Sequence, residues 1–357
     1  MLPRPKANME EYQRIMNKRL SENQLCKDNY EEYLKCEGRY NHKCSYLPIK
    51  MDYEVSSRCN FRCTMCLINE LGNNRPENMS FENFKKSIDM QQGLIEVKLQ
   101  GLGEPLLNND FFQMVDYAVS RQIWVRTATN ASLLHINDNY KKMIDSKIGE
   151  IQVSIDGATK QTFEKIRLGS NFEQIVENCR LMNEYAELKG EQWRTSCWML
   201  VQKENVHEVE DLLELAAKMK FTRLTYSISM SDWGKENWEE INRQKEVIGI
   251  FTDEFTQKLI DRGNELGITV TFWDGKDKYR YDDKKDKLCA WLFGRAYISS
   301  DMRIIPCCVI CDSKTYDLGD ANDFLNEWNG KLYQRIRQQH LDGIIPKICQ
   351  NCYIKEV

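Results

Sequence analysis

A strand-like run, Met51 to Val55, is followed at once by three cysteines, Cys59, Cys63 and Cys66, spaced C-x3-C-x2-C. Thiolates this close in sequence can all turn inward onto one metal centre. Three ligands suit a cubane 4Fe–4S cluster with one iron left open for a substrate or cofactor. A zinc knuckle would need a fourth ligand nearby, and no histidine lies between Cys59 and Gly72. The plainer alternative is three buried cysteines acting as small hydrophobes. Spacing this tight favours a metal.

The wider cysteine usage points the same way. The 357 residues include fourteen cysteines, and the charged opening, Met1 to Asn23, lacks the apolar run of a secretory signal. No stretch approaches the ~18 apolar residues of a membrane span. A cytoplasmic chain with metal sites is therefore expected, rather than a disulfide framework. Hydrophobic content of 41% supports a packed core, and a net charge of -4 with interspersed signs gives no reason to expect nucleic acid or membrane as a partner.

From Met51 onward, strand-like and helix-like segments alternate. Strand candidates are Met51–Val55, Ile95–Leu99, Ile123–Ala128, Glu150–Ile155, Thr195–Val201 and Arg223–Ser227. Helical stretches intervene at Phe81–Met90, Asn109–Arg121, Tyr140–Ser146, Phe172–Lys189 and His207–Met219. This rhythm implies a parallel sheet with crossover helices. Six strands are too few for a closed eight-fold barrel. A helix from about Lys245 to Leu266 and a strand, Ile268–Phe272, are expected outside that core. Residues 1–50 read as a helical extension whose Cys26, Cys36 and Cys44 suit ordinary burial. Residues 276–288 read as a charged linker.

Polar residues cluster where strands end. Gln100-Gly101-Leu102-Gly103-Glu104 follows the second strand, where glycine allows close backbone approach and a carboxylate can accept from an ammonium. Thr129-Asn130 ends the third strand and Ser154-Ile155-Asp156-Gly157 the fourth. Each alone is an ordinary turn. Arg167 lies shortly after, with a helix-surface salt bridge as its plain reading. Histidines 42, 135, 207 and 340 show no ligand-like spacing, and Trp233, Trp238 and Trp273 either pack the far end of the barrel or roof the pocket.

In this order, the cysteine trio and the motifs after it resemble the radical S-adenosylmethionine (radical SAM) enzymes. The resemblance implies an α/β fold, a partial (β/α)6 TIM-like barrel over 51–275 with its site at the C-terminal ends of the strands. It implies that Cys59, Cys63 and Cys66 hold the cluster that cleaves SAM to a 5′-deoxyadenosyl radical. Met65 stands where an aromatic residue often helps seat adenine, and Leu102 where the family's first glycine usually is. Gly103, Glu104, Asn130, Ser154 and Arg167 are the residues implied to position SAM.

The last 69 residues, 289–357, hold Cys289, Cys307, Cys308, Cys311, Cys349 and Cys352. Cys289, Cys307 and the Cys349–Cys352 couple can surround one centre when the intervening hairpin and helix fold back. This resembles the small auxiliary-cluster domains called SPASM and twitch, with Met302 at the glycine position, so that the turn is expected to differ. One auxiliary 4Fe–4S cluster is expected, a second left open by the six cysteines, and a structural zinc is the alternative. Cys308, Cys311 and Cys197 are candidate thiol hydrogen donors.

The first 50 residues are expected to leave no room for a winged-helix leader-binding domain. The first reading of function is accordingly oxidation or epimerisation of a small-molecule sugar or aminocyclitol, with the auxiliary cluster relaying electrons and a flavodoxin- or ferredoxin-type donor. The alternatives are crosslinking of a ribosomally made precursor peptide, by thioether or carbon–carbon bond, and a non-enzymatic iron–sulfur electron carrier or zinc-binding protein.

Overall fold

The computed structural model describes residues 2–71, 78–276, 278–281 and 287–354. Seven strands run parallel and adjacent in chain order: β1 (Lys50–Tyr53), β2 (Glu96–Leu99), β3 (Trp124–Thr129), β4 (Glu150–Ser154), β5 (Thr195–Leu200), β6 (Arg223–Ser227) and β7 (Thr269–Trp273). Their side chains alternate by residue, as strand geometry requires. Met51, Tyr53, Val97, Leu99, Val153, Met199 and Tyr226 enter the buried core. Lys50, Asp52, Glu96, Lys98, Gln152 and Trp198 face one common cavity instead. A sheet whose inner face encloses a single cavity from β1 to β7 is curled, and the architecture is an open α/β barrel.

Two details depart from the sequence reading. Thr269–Trp273 belongs to the sheet, paired parallel with β6 from Arg223↔Thr269 to Ser227↔Trp273. Second, no helix runs from Lys245 to Leu266. One helix, Glu236–Lys245, ends there, and another, Asp253–Glu265, begins after Thr252 caps it through Phe255 N. Gly249, at φ 75°, lies in the intervening loop.

The C-terminal hairpin continues the same sheet. β8 (Arg295–Ile298) pairs parallel with the free side of β1, and β9 (Arg303–Ile305) and β10 (Gly319–Asp320) follow antiparallel. At the turn, Met302 itself adopts the left-handed conformation that favours glycine, at φ 58°. That conformation costs a non-glycine residue about 1–2 kcal/mol. Burial of the side chain offsets this, with 5% of the residue exposed. Within 276–288, residues 277 and 282–286 lie outside the described residues, and Tyr279 bridges Tyr353.

The N-terminal extension closes the opposite end of the barrel. Helix α1 (Met9–Glu22) is capped by Asn8, and Asn23 caps α2 (Gln24–Cys36). Tyr12 packs edge-on against Trp124, and Phe272 N donates to Pro3 O at 2.7 Å. Cys26 is fully buried between the helices and the barrel, and Cys44 is buried where its backbone exchanges hydrogen bonds with Asn329. Among the described residues no helix is long and apolar enough to cross a membrane.

Arg19 fastens α1 to the barrel, donating to the carbonyls of Leu94, Arg121 (2.6 Å) and Gln92 (3.3 Å). Arg19→Met strands three backbone acceptors and should lower unfolding free energy by about 3 kcal/mol in urea denaturation of the apoprotein. Arg14→Met, on the exposed face of α1, should change it by less than about 0.5 kcal/mol.

Candidate active site

Every motif singled out in the sequence leaves the C-terminal edge of the parallel strands, where open α/β sheets bind ligands. The cysteine loop after β1 is anchored from three sides. Arg62 and Cys63 form a two-residue antiparallel ladder with Leu168 and Arg167. Glu104 N donates to Arg58 O at 2.7 Å. Asn60 Nδ2 donates to Ser132 Oγ at 2.8 Å, and Asn60 Oδ1 accepts from Asn130 Nδ2 at 2.9 Å.

Gly103 makes that packing possible. A Cβ there would lie 2.2 Å from Ser56 O and 2.3 Å from Arg58 O. Leu102, at the position of the absent glycine, packs instead into a small apolar cluster with Leu67, Trp238 and Cys311. The motif therefore needs only its second glycine at the point of closest approach.

Cys59, Cys63 and Cys66 all line the cavity. Burial pushes Cys59 up to about 11 and Cys66 to about 12, and raises Cys63. Neighbouring thiols add to the rise at Cys59 and Cys66, so the sulfurs are close enough to feel one another's charge. A bound cationic centre removes that penalty by taking thiolates. The last cysteines form a comparable set. Burial raises Cys307 and Cys349; Cys289 also acts on both, Cys349 on Cys307 and Cys352 on Cys349. Among the described residues no three His, Cys, Asp or Glu side chains stand at single-ion spacing. Tetrahedral zinc, with bonds of ~2.3 Å, would need sulfurs about 3.8 Å apart. Thiolates are soft ligands, and sets of three and four of them suit iron–sulfur clusters.

The residues expected to position SAM share this space. Glu104 is 2% exposed and accepts from Thr129 Oγ1 at 2.6 Å and Asn130 N at 2.7 Å. Burial raises its carboxyl to about 7. A carboxylate offers about four lone-pair sites, which leaves capacity for an ammonium. Asn130 spends its carbonyl on Ser132 and its amide on Asn60, 3.8 Å from Cys59 Sγ. Ser154 and Met65 line the cavity, and Trp233 Nε1 donates to Met65 O at 3.3 Å. Trp233 and Trp273 line the pocket, whereas Trp238 is buried behind it.

Arg167 is not on a helix surface. It is 8% exposed and ion-paired to Asp156 Oδ2 at 2.6 Å, and Asp156 Oδ1 accepts from Leu200 N at 2.7 Å. Asp156, Asn60 and Ser132 are thus positioning residues that the sequence reading did not name. Their signal was present for Asp156, two residues beyond Ser154 in the same motif. Of the three candidate hydrogen-donor thiols, Cys308 lines the cavity. Cys311 is buried in the small apolar cluster, and Cys197 lies in the main core beside Cys179.

Gly103→Ala should displace the cysteine loop by pressing on two carbonyls. The anaerobically purified variant is expected to lose iron and visible charge-transfer absorbance relative to the parent, while Leu102→Ala retains both.

Comparison with known proteins gives this geometry a context. Residues 53–216 match the model of the radical SAM superfamily, and 289–353 match SPASM, an iron–sulfur cluster-binding domain. The mycofactocin maturase MftC of Mycolicibacterium smegmatis is 26% identical over 199 residues, 55% of this chain and 48% of that protein. The chain thus spans about half the length of that relative. The PqqA peptide cyclase of Rhizobium meliloti is 21% identical, covering 87% of this chain and 80% of that protein. The structure of Streptococcus suis SuiB bound to precursor peptide SuiA superposes with a TM-score of 0.64 at 14% identity, over 86% of this chain and 71% of that one. At that identity the likeness concerns the fold. The chain belongs to the radical SAM superfamily, with a SPASM iron–sulfur cluster-binding domain toward its C-terminus.

Proposed function

We propose that this enzyme modifies a peptide, forming a thioether or carbon–carbon crosslink in a ribosomally made precursor. The observation that carries this reading is the pairing of a peptide cyclase relative spanning 87% of the chain with one continuous cavity of about 1290 Å³. A cavity for one small ligand occupies roughly 300–1,000 Å³. The space here runs from the cysteine loop to Cys308 and Cys352, which leaves room for a substrate segment beside the cofactor. Oxidation or epimerisation of a sugar or aminocyclitol, the first reading from sequence, draws support from the polar cavity wall but less from the relatives.

SAM, if held beside the cluster, would supply radical chemistry for removing a hydrogen atom from the substrate. In our reading Cys59, Cys63 and Cys66 hold the SAM-binding cluster, and Cys289, Cys307, Cys349 and Cys352 an auxiliary one. Glu104 accepts from the SAM ammonium. Arg167, fixed by Asp156, faces the carboxylate. The barrel wall and α1 keep water from the reacting centre. A flavodoxin- or ferredoxin-type protein is the electron donor.

The test is anaerobic turnover with SAM, reductant and candidate precursor peptides. The expected result is peptide-dependent 5′-deoxyadenosine and a peptide lighter by two hydrogens. A Cys59/Cys63/Cys66→Ala variant should form none while retaining iron at the C-terminal cysteines. Substrate-dependent 5′-deoxyadenosine with polyols or amino sugars, and none with peptides, would overturn the peptide reading.

A further inference from the structure

Midway along the barrel interior, strands β1 to β4 present Asp52, Lys98, Arg126 and Glu150 in register, one residue per strand. All four line the cavity. The lower part of this wall is closed on itself. Glu96 pairs with Lys50 at 2.8 Å and Arg126 at 3.3 Å, and Glu150 with Arg126 at 2.5 Å and Arg223 at 3.6 Å.

Three charged groups stand outside that network. Asp52 is 5% exposed, yet among the described residues it accepts no hydrogen bond and joins no ion pair, although Lys98 is its Cα partner on the next strand. Lys98 has a single long bond, 3.4 Å to Gln152 Oε1. Arg295, in register with Lys50 on β8, stacks on Trp291 at 5.3 Å and has no ion pair among the described residues. Asp52 is directly opposite Lys98, Arg295 is directly opposite Lys50, two residues before Asp52 on the same face of β1, and all of them line the one cavity.

That point carries surplus positive charge: outside the paired lower network, two cations, Lys98 and Arg295, stand against one carboxylate, Asp52. Burial draws Lys98 below its ordinary value, and Arg126 beside it draws it further. Buried charge without a partner is costly, and a planar anion between a guanidinium and an ammonium removes the cost on both sides. A neutral group would leave it in place.

We propose that this point binds an anionic group of the substrate, a carboxylate carried by a peptide, with Lys98 and Arg295 on its oxygens and Asp52 accepting from a neighbouring N–H. The peptide as carrier rests on the function proposed above; the negative charge does not. The Lys98 and Arg295 side chains are specificity-determining residues in this scheme.

The test uses reconstituted holoenzyme with SAM and saturation-transfer NMR of three probes: N-acetylglutamate N-methylamide, its glutamine counterpart and inorganic phosphate. The glutamate probe should bind at least about tenfold more tightly than the glutamine probe. That preference should vanish in Lys98→Gln and in Arg295→Gln and survive in Lys98→Arg. Asp52→Asn, which keeps an acceptor for the N–H but removes the negative charge beside the carboxylate, should tighten binding of the glutamate probe. Opposite signs at Asp52 and Lys98 are not produced by general loss of packing, and iron content of each variant reports folding. Equal binding of both amides, or no binding of either, overturns the proposal. Phosphate binding with the same dependence on Lys98 and Arg295, without the glutamate probe, also overturns it, and assigns the site to a phosphorylated small molecule instead. Failure of peptide turnover while the glutamate preference holds would count against the peptide function alone.

Discussion

The contact on which the site depends is backbone to backbone. The Gly103 α-carbon lies so close to the carbonyls of Ser56 and Arg58 that no side chain fits between them. This seats the turn after β2 on the cysteine loop after β1. Glu104 is then pinned by its own N–H to Arg58 O and by its carboxylate to Thr129 and Asn130 at the end of β3. Asn130 in turn reaches Asn60, next to Cys59. Three strand ends are thereby locked to the loop that carries the thiols, before any cofactor contributes. Preorganisation of this kind spares the enzyme from ordering a loop at the moment of binding.

The barrel interior poses the opposite problem, because its wall is charged where a core would be apolar. The outward residues of the same strands satisfy the hydrophobic requirement against the helices. The inward ones are arranged so that each carboxylate of the lower wall meets two cations. Glu96 consequently sits at about 2, held down by Lys50 and Arg126 against the opposing effect of burial. Pairing is complete around Glu96 and Glu150 and incomplete around Asp52, Lys98 and Arg295. Unpaired charge is therefore concentrated where a substrate meets it.

Much of this was legible in the sequence. The trio of cysteines, the order of the strand-end motifs and the rhythm of strands and helices led to the right fold. What escaped has identifiable physical causes. Thr269–Trp273 was placed outside the sheet because its position depends on pairing with β6, a long-range fact with no local signature. Nothing local announces that Met302 takes a left-handed conformation, because its burial, which offsets the strain, is a tertiary fact. Arg167 was reached through the motif order alone, because nothing in Glu164-Lys165-Ile166-Arg167 reveals that it pairs beside Cys63 and with Asp156. The charged interior did have a signal. Lys50-Met51-Asp52-Tyr53 and Glu96-Val97-Lys98-Leu99 alternate strictly, and in a curled sheet the polar face turns inward.

The C-terminal segment has a larger part in the site than an appended cluster domain would need. Because β8 pairs with β1, it brings Arg295 into register with Lys50 and extends the barrel wall by one strand. The hairpin that follows delivers Cys307 to the cysteine set and Cys308, the next residue, to the cavity. The two cysteines open a turn that Cys311 N closes by donating to Cys307 O at 3.1 Å, so one short stretch serves two chemistries. A thiol of the cysteine set and a thiol facing the substrate are then a single peptide unit apart. Any change that moves the hairpin moves both, and the substrate space and the auxiliary centre are mechanically one object.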